Sequence, residues 1–310
     1  MMMTFWSAAA IVVSCLLGQA QAQDCMREHL AMTATDERPG TVAGAQNRTV
    51  NSLAPVFSGQ SLDVVLSAQA VLAWDEQTDT VLYEKNADGR RPVASLSKLL
   101  SALTVRELLP AVRVVEIPRA VLATQRRGAH IRLPIGEHAS VYDLLSASLI
   151  PSANDAMTAL ALAAANSEES FVAAANDWAV KHGLTNTKVS NATGLEGDGE
   201  SYSTARDMKG LLRLAFRDTT LRTLLVSESG VLRTQEGTVR RYKSTNKLLG
   251  TYFPVLAAKT GYTPAAGENL AVITYGEAGQ RIGAVVLGSE GRFQDVKTLV
   301  EWIFRNYTWP

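Results

Sequence analysis

Three short constellations could do chemistry: Ser95-Leu96-Ser97-Lys98, Ser152-Ala153-Asn154 and Lys259-Thr260-Gly261. In the first, a hydroxyl and an amine stand three residues apart. Leu99, Leu100, Ala102, Leu103, Val105, Leu108 and Leu109 follow with the spacing of a buried helical stripe. Pro92 precedes them, where entry into a helix tolerates proline. Residues i and i+3 share a helix face, so Lys98 can bring its amine over the Ser95 hydroxyl. A serine is a weak nucleophile until a base takes its proton. A lysine is that base only when neutral, and burial or a second cation lowers its pKa. The same spacing recurs at Ser244-Thr245-Asn246-Lys247, so the pair alone does not decide the matter.

The second constellation lies between two helical patterns, where Ser152 and Asn154 can face a shared cleft; a serine that only caps the next helix looks the same. The third reads as part of a strand, in which alternate side chains share a face. Gly261 removes a side chain where another backbone can come close, and such a strand edge can bind a peptide by strand addition. Lys259 adds charge for an anionic group and helps to depress Lys98. A solvated lysine at a strand end looks the same.

The elements that must hold these residues are legible in outline. Residues 68–74 and 80–84 read as a hairpin around the turn-like 75–79. Helical patterns follow the Ser95 segment over 141–150, 154–165, 168–182 (with Ser167 as cap and Gly183 as stop) and 207–226. Strands are expected at 255–260, 270–275 and 282–287, with a turn at 276–280, and a final helix at 293–304. Strands at both ends and helices between them predict an α+β fold. One antiparallel sheet is built from both chain ends, flanked by helices, with a mainly helical subdomain.

The 30 basic and 30 acidic residues balance, which argues against a nucleic-acid binder, and the 46% apolar share is that of a folded protein. Residues 1–22 read as a signal peptide, an apolar run ending in Ala20-Gln21-Ala22, although a basic residue first appears at Arg27. The run is short for a membrane span, so no transmembrane anchor is expected in the mature chain. Cys15 in Val12-Val13-Ser14-Cys15 loosely matches a lipoprotein processing site, the minority alternative; with Cys25 the only other cysteine, a disulfide framework is excluded. Residues 23–64 read as a linker or N-terminal arm. Asn47-Arg48-Thr49 and Asn191-Ala192-Thr193 match glycosylation acceptors, here taken as coincidence.

Together, in this order, the three constellations resemble those of the low-molecular-mass penicillin-binding proteins, the serine D-alanyl-D-alanine carboxypeptidases and endopeptidases; a related pattern marks the serine β-lactamases. Asn191-Ala192-Thr193-Gly194-Leu195, Ser203-Thr204-Ala205-Arg206-Asp207, Thr245-Asn246-Lys247-Leu248-Leu249 and Lys259 to Thr263 with Ala266-Gly267 also match, so the resemblance covers about 65–308. It implies the β-lactamase/transpeptidase-like fold, with Ser95 as nucleophile, Lys98 as general base, and Ser152 and Asn154 completing the cleft. Ser152 would relay a proton to the leaving amine. Lys259 and Thr260 would hold a substrate carboxylate, and the backbone N–H groups of Ser95 and Tyr262 would form an oxyanion hole. Gly261 and Thr263 belong to the same substrate-binding strand. Arg292 stands where similar enzymes carry an arginine near the carboxylate; a surface arginine would look the same. The implied partners are peptidoglycan stem peptides, with β-lactams as covalent inhibitors, in the periplasm or otherwise outside the cytoplasm. No cofactor or metal is implied.

Two alternatives remain. A class A β-lactamase needs a glutamate four residues before an asparagine between the second and third constellations, and Glu168, Glu169, Glu196, Glu200, Glu228 and Glu236 all lack that asparagine. A non-catalytic peptidoglycan-binding protein on the same fold is the other. A Ser-His-Asp hydrolase is disfavoured by the lack of Gly-x-Ser-x-Gly, and a metallopeptidase by the lack of His-Glu-x-x-His. The chain ends soon after its final helix, so no second C-terminal domain is expected. That resembles the shorter family members that cut cross-linked peptides.

Overall fold

The computed structural model describes residues 54–59, 62–197 and 199–310. The expected signal peptide, Cys15, Cys25 and Asn47 lie outside the described residues. In chain order the strands are β1 (Val56–Phe57), β2 (Ala70–Asp75), β3 (Val81–Lys85), β4 (Val114–Glu116), β5 (His138–Ser140), β6 (Ser229–Arg233) and β7 (Val239–Lys243). They continue as β8 (Val255–Thr263), β9 (Gly267–Tyr275), β10 (Arg281–Ser289) and β11 (Tyr307–Thr308). The helices are α1 (Lys98–Leu108), α2 (Val121–Gln125), α3 (Val141–Leu149), α4 (Asn154–Ala165), α5 (Glu168–Lys181), α6 (Ala205–Arg217), α7 (Thr219–Leu225) and α8 (Arg292–Asn306). A 3₁₀ turn, Ala94–Ser97, leads into α1.

The main sheet has five strands in the order β3-β2-β10-β9-β8, all antiparallel. It joins the two ends of the chain, as expected. Its strands are apolar on both faces because both are covered. Leu72, Trp74, Ala271, Ile273, Val285 and Leu287 face the helical layer. Val71, Ala73, Leu270, Val272, Ala284 and Val286 face the other way, onto Val296, Leu299, Val300 and Ile303 of α8. This period-two division places β8 at an edge of the sheet, beside the turn that carries Ser95.

The helical layer is organised by α1 and α4. Both are buried along most of their length, with Leu99, Leu100, Met157 and Leu160 fully enclosed. Ser167 caps α5 by accepting from the Ser170 N–H, as the sequence suggested. The single helix expected over 207–226 is instead two. Asp218 adopts an extended backbone, ends α6, and caps α7 by accepting the Leu221 N–H at 2.9 Å. The β6–β7 hairpin is an element the hydrophobic pattern does not reveal, because Leu232 and Tyr242 are its buried residues in a ribbon otherwise exposed or half-buried. Within the stretch read as an arm, Val56 and Phe57 pair with Thr308 and Tyr307. Among the described residues no helix is long and apolar enough to cross a membrane.

Candidate active site

The site is assembled where the 3₁₀ turn, the α3–α4 junction, the loop after Asn191 and the β8 edge meet. The turn is strained: Ala94, just before Ser95, has φ +49°, and Ser152 at the α3–α4 junction has φ +65°. Left-handed backbone at non-glycine residues costs free energy and clusters at functional sites. Gly261 allows the close approach that the sequence suggested. A Cβ there would lie 2.7 Å from the Val93 carbonyl oxygen and 3.2 Å from the Ser95 backbone nitrogen. Gly194 does the same on the opposite wall, where a Cβ would meet the Ala94 carbonyl oxygen at 2.2 Å.

Lys98 lies at the centre and is fully buried. Its Nζ donates to Asn154 Oδ1 at 2.7 Å and to the Thr193 carbonyl at 2.6 Å, and lies 3.0 Å from Ser95 Oγ. The first two partners can only accept at those atoms. A neutral amine has two N–H donors and one lone pair, so both donors are engaged and the lone pair faces Ser95. Burial, and then the Lys259 charge, push Lys98 well below its ordinary value, with Asp155 acting in the opposite direction. Asp155 does not itself enter the cleft chemistry. Its carboxylate is occupied by the backbone N–H groups of Ile131, Leu133 and Ala156 and by Gln125.

Lys259, also fully enclosed, donates to Ser152 Oγ at 2.8 Å and to the Thr260 carbonyl at 3.0 Å. Burial and the Arg292 charge push it down to about 7. Because Ser152 Oγ accepts the hydrogen bond from Lys259 Nζ, its own O–H is free to donate elsewhere. Thr260 Oγ1 pairs with Thr245 Oγ1 at 2.6 Å. Arg292, at the start of α8, turns its guanidinium inward and donates from Nη1 to the Gly261 carbonyl at 2.7 Å. Its side chain is only 13% exposed, so the surface reading of this arginine does not apply.

These groups frame a cleft of about 270 Å³. Ser95, Ser152, Asn154, Thr260, Gly261 and Arg292 line it, and Tyr262 and Thr263 continue the wall along β8. Every residue singled out in the three constellations is thus brought together, with Lys98 and Lys259 behind the lining. Among the described residues, neither aspartate nor glutamate lines the cleft. The competing Ser244-x-x-Lys247 is not a site: Ser244 Oγ accepts the Asn246 N–H at 3.1 Å within a turn, and Lys247 is exposed.

Three contributions escaped the sequence reasoning. The Thr193 carbonyl is presented by a turn that Asn191 builds, its Oδ1 accepting the N–H groups of Thr193 and Gly194 at 3.0 and 2.8 Å. Asn191 is buried by this role, so its match to a glycosylation acceptor is coincidental. The Arg127 carbonyl accepts from Asn154 Nδ2 at 3.0 Å and fixes the amide so that its oxygen faces Lys98. Thr245 supplies the third. An Asn followed two residues later by Thr-Gly is a recognisable Asx-turn signal.

A family model described as D-alanyl-D-alanine carboxypeptidase matches residues 57–291. The chain belongs to the D-alanyl-D-alanine carboxypeptidase family. It is 33% identical over 255 residues to the D-alanyl-D-alanine carboxypeptidase DacC of Escherichia coli K12, covering 77% of this chain and 62% of that one. It is 31% identical over 262 residues to a D-alanyl-D-alanine endopeptidase of Pseudomonas aeruginosa, covering 82% and 83%. The solved Streptomyces K15 DD-transpeptidase superposes with a TM-score of 0.73 at 28% identity, over 79% of this chain and 99% of that one. The matched part of this family member spans less than two thirds of the length of the Escherichia coli carboxypeptidases.

Proposed function

We propose that the chain is a serine peptidase that cleaves the D-alanyl-D-alanine end of peptidoglycan stem peptides through an acyl-enzyme on Ser95. The observation that carries this reading is the Lys98 environment. It is a buried amine, depressed in pKa, with two obligate acceptors at its Nζ and Ser95 Oγ 3.0 Å away, the arrangement in which a neutral lysine has its lone pair left for the serine proton. The substrate lies along the β8 edge with its terminal carboxylate among Thr260, Thr245 and Arg292. Ser95 Oγ attacks the penultimate D-alanine carbonyl carbon as its proton passes to Lys98 Nζ. The Ser95 and Tyr262 backbone N–H groups receive the charge that develops on the carbonyl oxygen. The C–N bond breaks as the Ser152 hydroxyl relays the proton held on Lys98 to the departing amine, so Lys98 is neutral again when the D-alanine leaves. Water then attacks the Ser95 ester with Lys98 taking its proton and returning it to Ser95 Oγ as the ester C–O bond breaks, and the shortened peptide is released.

This reading makes β-lactams covalent inhibitors. The lack of a carboxylate among the described residues that line the cleft speaks against a class A β-lactamase, whose deacylation needs one, and the completeness of the site speaks against a non-catalytic binder. We place the mature domain, about residues 65–308, outside the cytoplasm after removal of residues 1–22, where this substrate is found. Cleavage of cross-links is the second reading, supported by the match to the Pseudomonas aeruginosa endopeptidase over 83% of its length. Incubation with monomeric pentapeptide and cross-linked dimer muropeptides, followed by chromatography, tests both. D-alanine release from the monomer supports carboxypeptidase action, conversion of dimer to monomer supports endopeptidase action, and cleavage of neither rejects both.

A further inference from the structure

Arg292 is the first residue of α8, and its N-cap position is Gly291, which has no side chain with which to cap. The capping oxygen comes instead from the sheet. Glu268 stands opposite Tyr262 on β8 and Ser289 on β10, and its Oε2 accepts the Arg292 backbone N–H at 3.0 Å. The same oxygen lies 3.9 Å from Arg292 Nε, outside hydrogen-bond range. Arg292 Nε is buried and has no hydrogen-bond partner. The guanidinium is anchored at Nη1 on the Gly261 carbonyl and packs over the Phe293 ring at 5.0 Å. Glu268 therefore holds the backbone of Arg292 and lies within ion-pair distance of its guanidinium, yet leaves Nε without a hydrogen bond. An arginine with an N–H left open in this way suits a carboxylate, which takes two parallel bonds from arginine.

We propose that Glu268 is the positioning residue for Arg292, acting through the helix cap it gives the arginine's backbone and not through an ion pair with its guanidinium. The proposal rests on the reading of Arg292 as part of the carboxylate subsite. Its charge works against anion binding while its cap works for it, so the two contributions separate by substitution. Glu268→Gln keeps the acceptor and removes the charge; Glu268→Ala removes both.

The test is acylation by penicillin G, which carries a carboxylate, and by its methyl ester, which does not, each followed by intact mass over time. Glu268→Ala is expected to weaken the apparent binding constant for penicillin G about fivefold, the ratio a lost cap of about 1 kcal/mol supplies. The limiting acylation rate and the ester should change less than twofold. Glu268→Gln should rescue penicillin binding to the wild-type value or tighter. The proposal is overturned if Glu268→Ala has no effect, if it weakens acid and ester equally, or if Glu268→Gln behaves like Glu268→Ala. Arg292→Ala in parallel separates the two readings. If it leaves penicillin binding unchanged, the carboxylate subsite itself is misassigned. If it weakens binding while Glu268→Ala does not, only the role of Glu268 fails.

Discussion

Replacing Asn154 with aspartate puts a carboxylate where an amide oxygen now sits, 2.7 Å from Lys98 Nζ. The change is almost isosteric, so the cleft keeps its shape, but a buried amine that needs to be neutral gains an anion in direct contact. An opposite charge within about 4–6 Å favours the charged form by about 1–3 pKa units. Only the neutral amine takes the Ser95 proton, so acylation at neutral pH falls to the extent that the raised pKa passes the assay pH, by up to about 1000-fold. The sign gives the diagnostic: raising the pH deprotonates the ammonium and restores the rate about tenfold per unit until the raised pKa is passed. The assay is the second-order acylation rate with penicillin from pH 6 to 10, read by intact mass. Asn154→Ala loses an acceptor without adding charge, and its deficit should not recover with pH in this way. An Asn154→Asp enzyme that acylates like wild type at pH 7, or whose loss persists unchanged to pH 10, would refute the neutral-lysine argument.

Other consequences can be checked alongside. Lys259 titrates near 7 in the folded protein against about 10.5 unfolded, so the unfolded chain binds more protons between those values and stability should rise with pH across that window. Lys259→Met should therefore raise Tm by several degrees at pH 6, with a smaller advantage at pH 10, while losing acylation; equal advantages at both pH values would contradict the burial cost. Gly261→Ala puts a Cβ against the Val93 carbonyl and Ser95 nitrogen, both backbone atoms that cannot move aside, and should cut acylation about 100-fold or more with the far-UV spectrum unchanged. Asn191→Ala strands the Thr193 and Gly194 N–H groups and should cost about 1–3 kcal/mol in urea unfolding, along with about tenfold in acylation as the Thr193 carbonyl drifts from Lys98.

The parts of this molecule that announce themselves in sequence are those whose side chains repeat or react. The runs 68–74, 270–275 and 282–287 are largely apolar on both faces because two layers cover the sheet, and their strand character is plain. Ser95, Lys98, Ser152, Asn154 and Lys259 lie in apolar surroundings; Lys98 reaches Ser95 as the i, i+3 spacing suggested, and the others join them as the resemblance implied. What stays hidden is backbone chemistry and long-range pairing. The Thr193 and Arg127 carbonyls have no side-chain signature. The β6–β7 hairpin buries too little to show a period, and the α6–α7 break rests on Asp218 serving both as the end of one helix and as the cap of the next. Arg292 was placed near the cleft by the resemblance alone, since nothing local distinguishes it from a surface arginine; its inward turn onto the Gly261 carbonyl shows only in the structure.

The central claim is that Ser95, activated by Lys98, is the nucleophile. Intact-mass analysis after penicillin G treatment, followed by proteolysis and peptide mapping, tests it most directly. A single adduct of one penicillin mass is expected on the peptide containing Ser95, absent in Ser95→Ala and retained in Ser244→Ala. No adduct, or an adduct on Ser152 or Ser244, would contradict it.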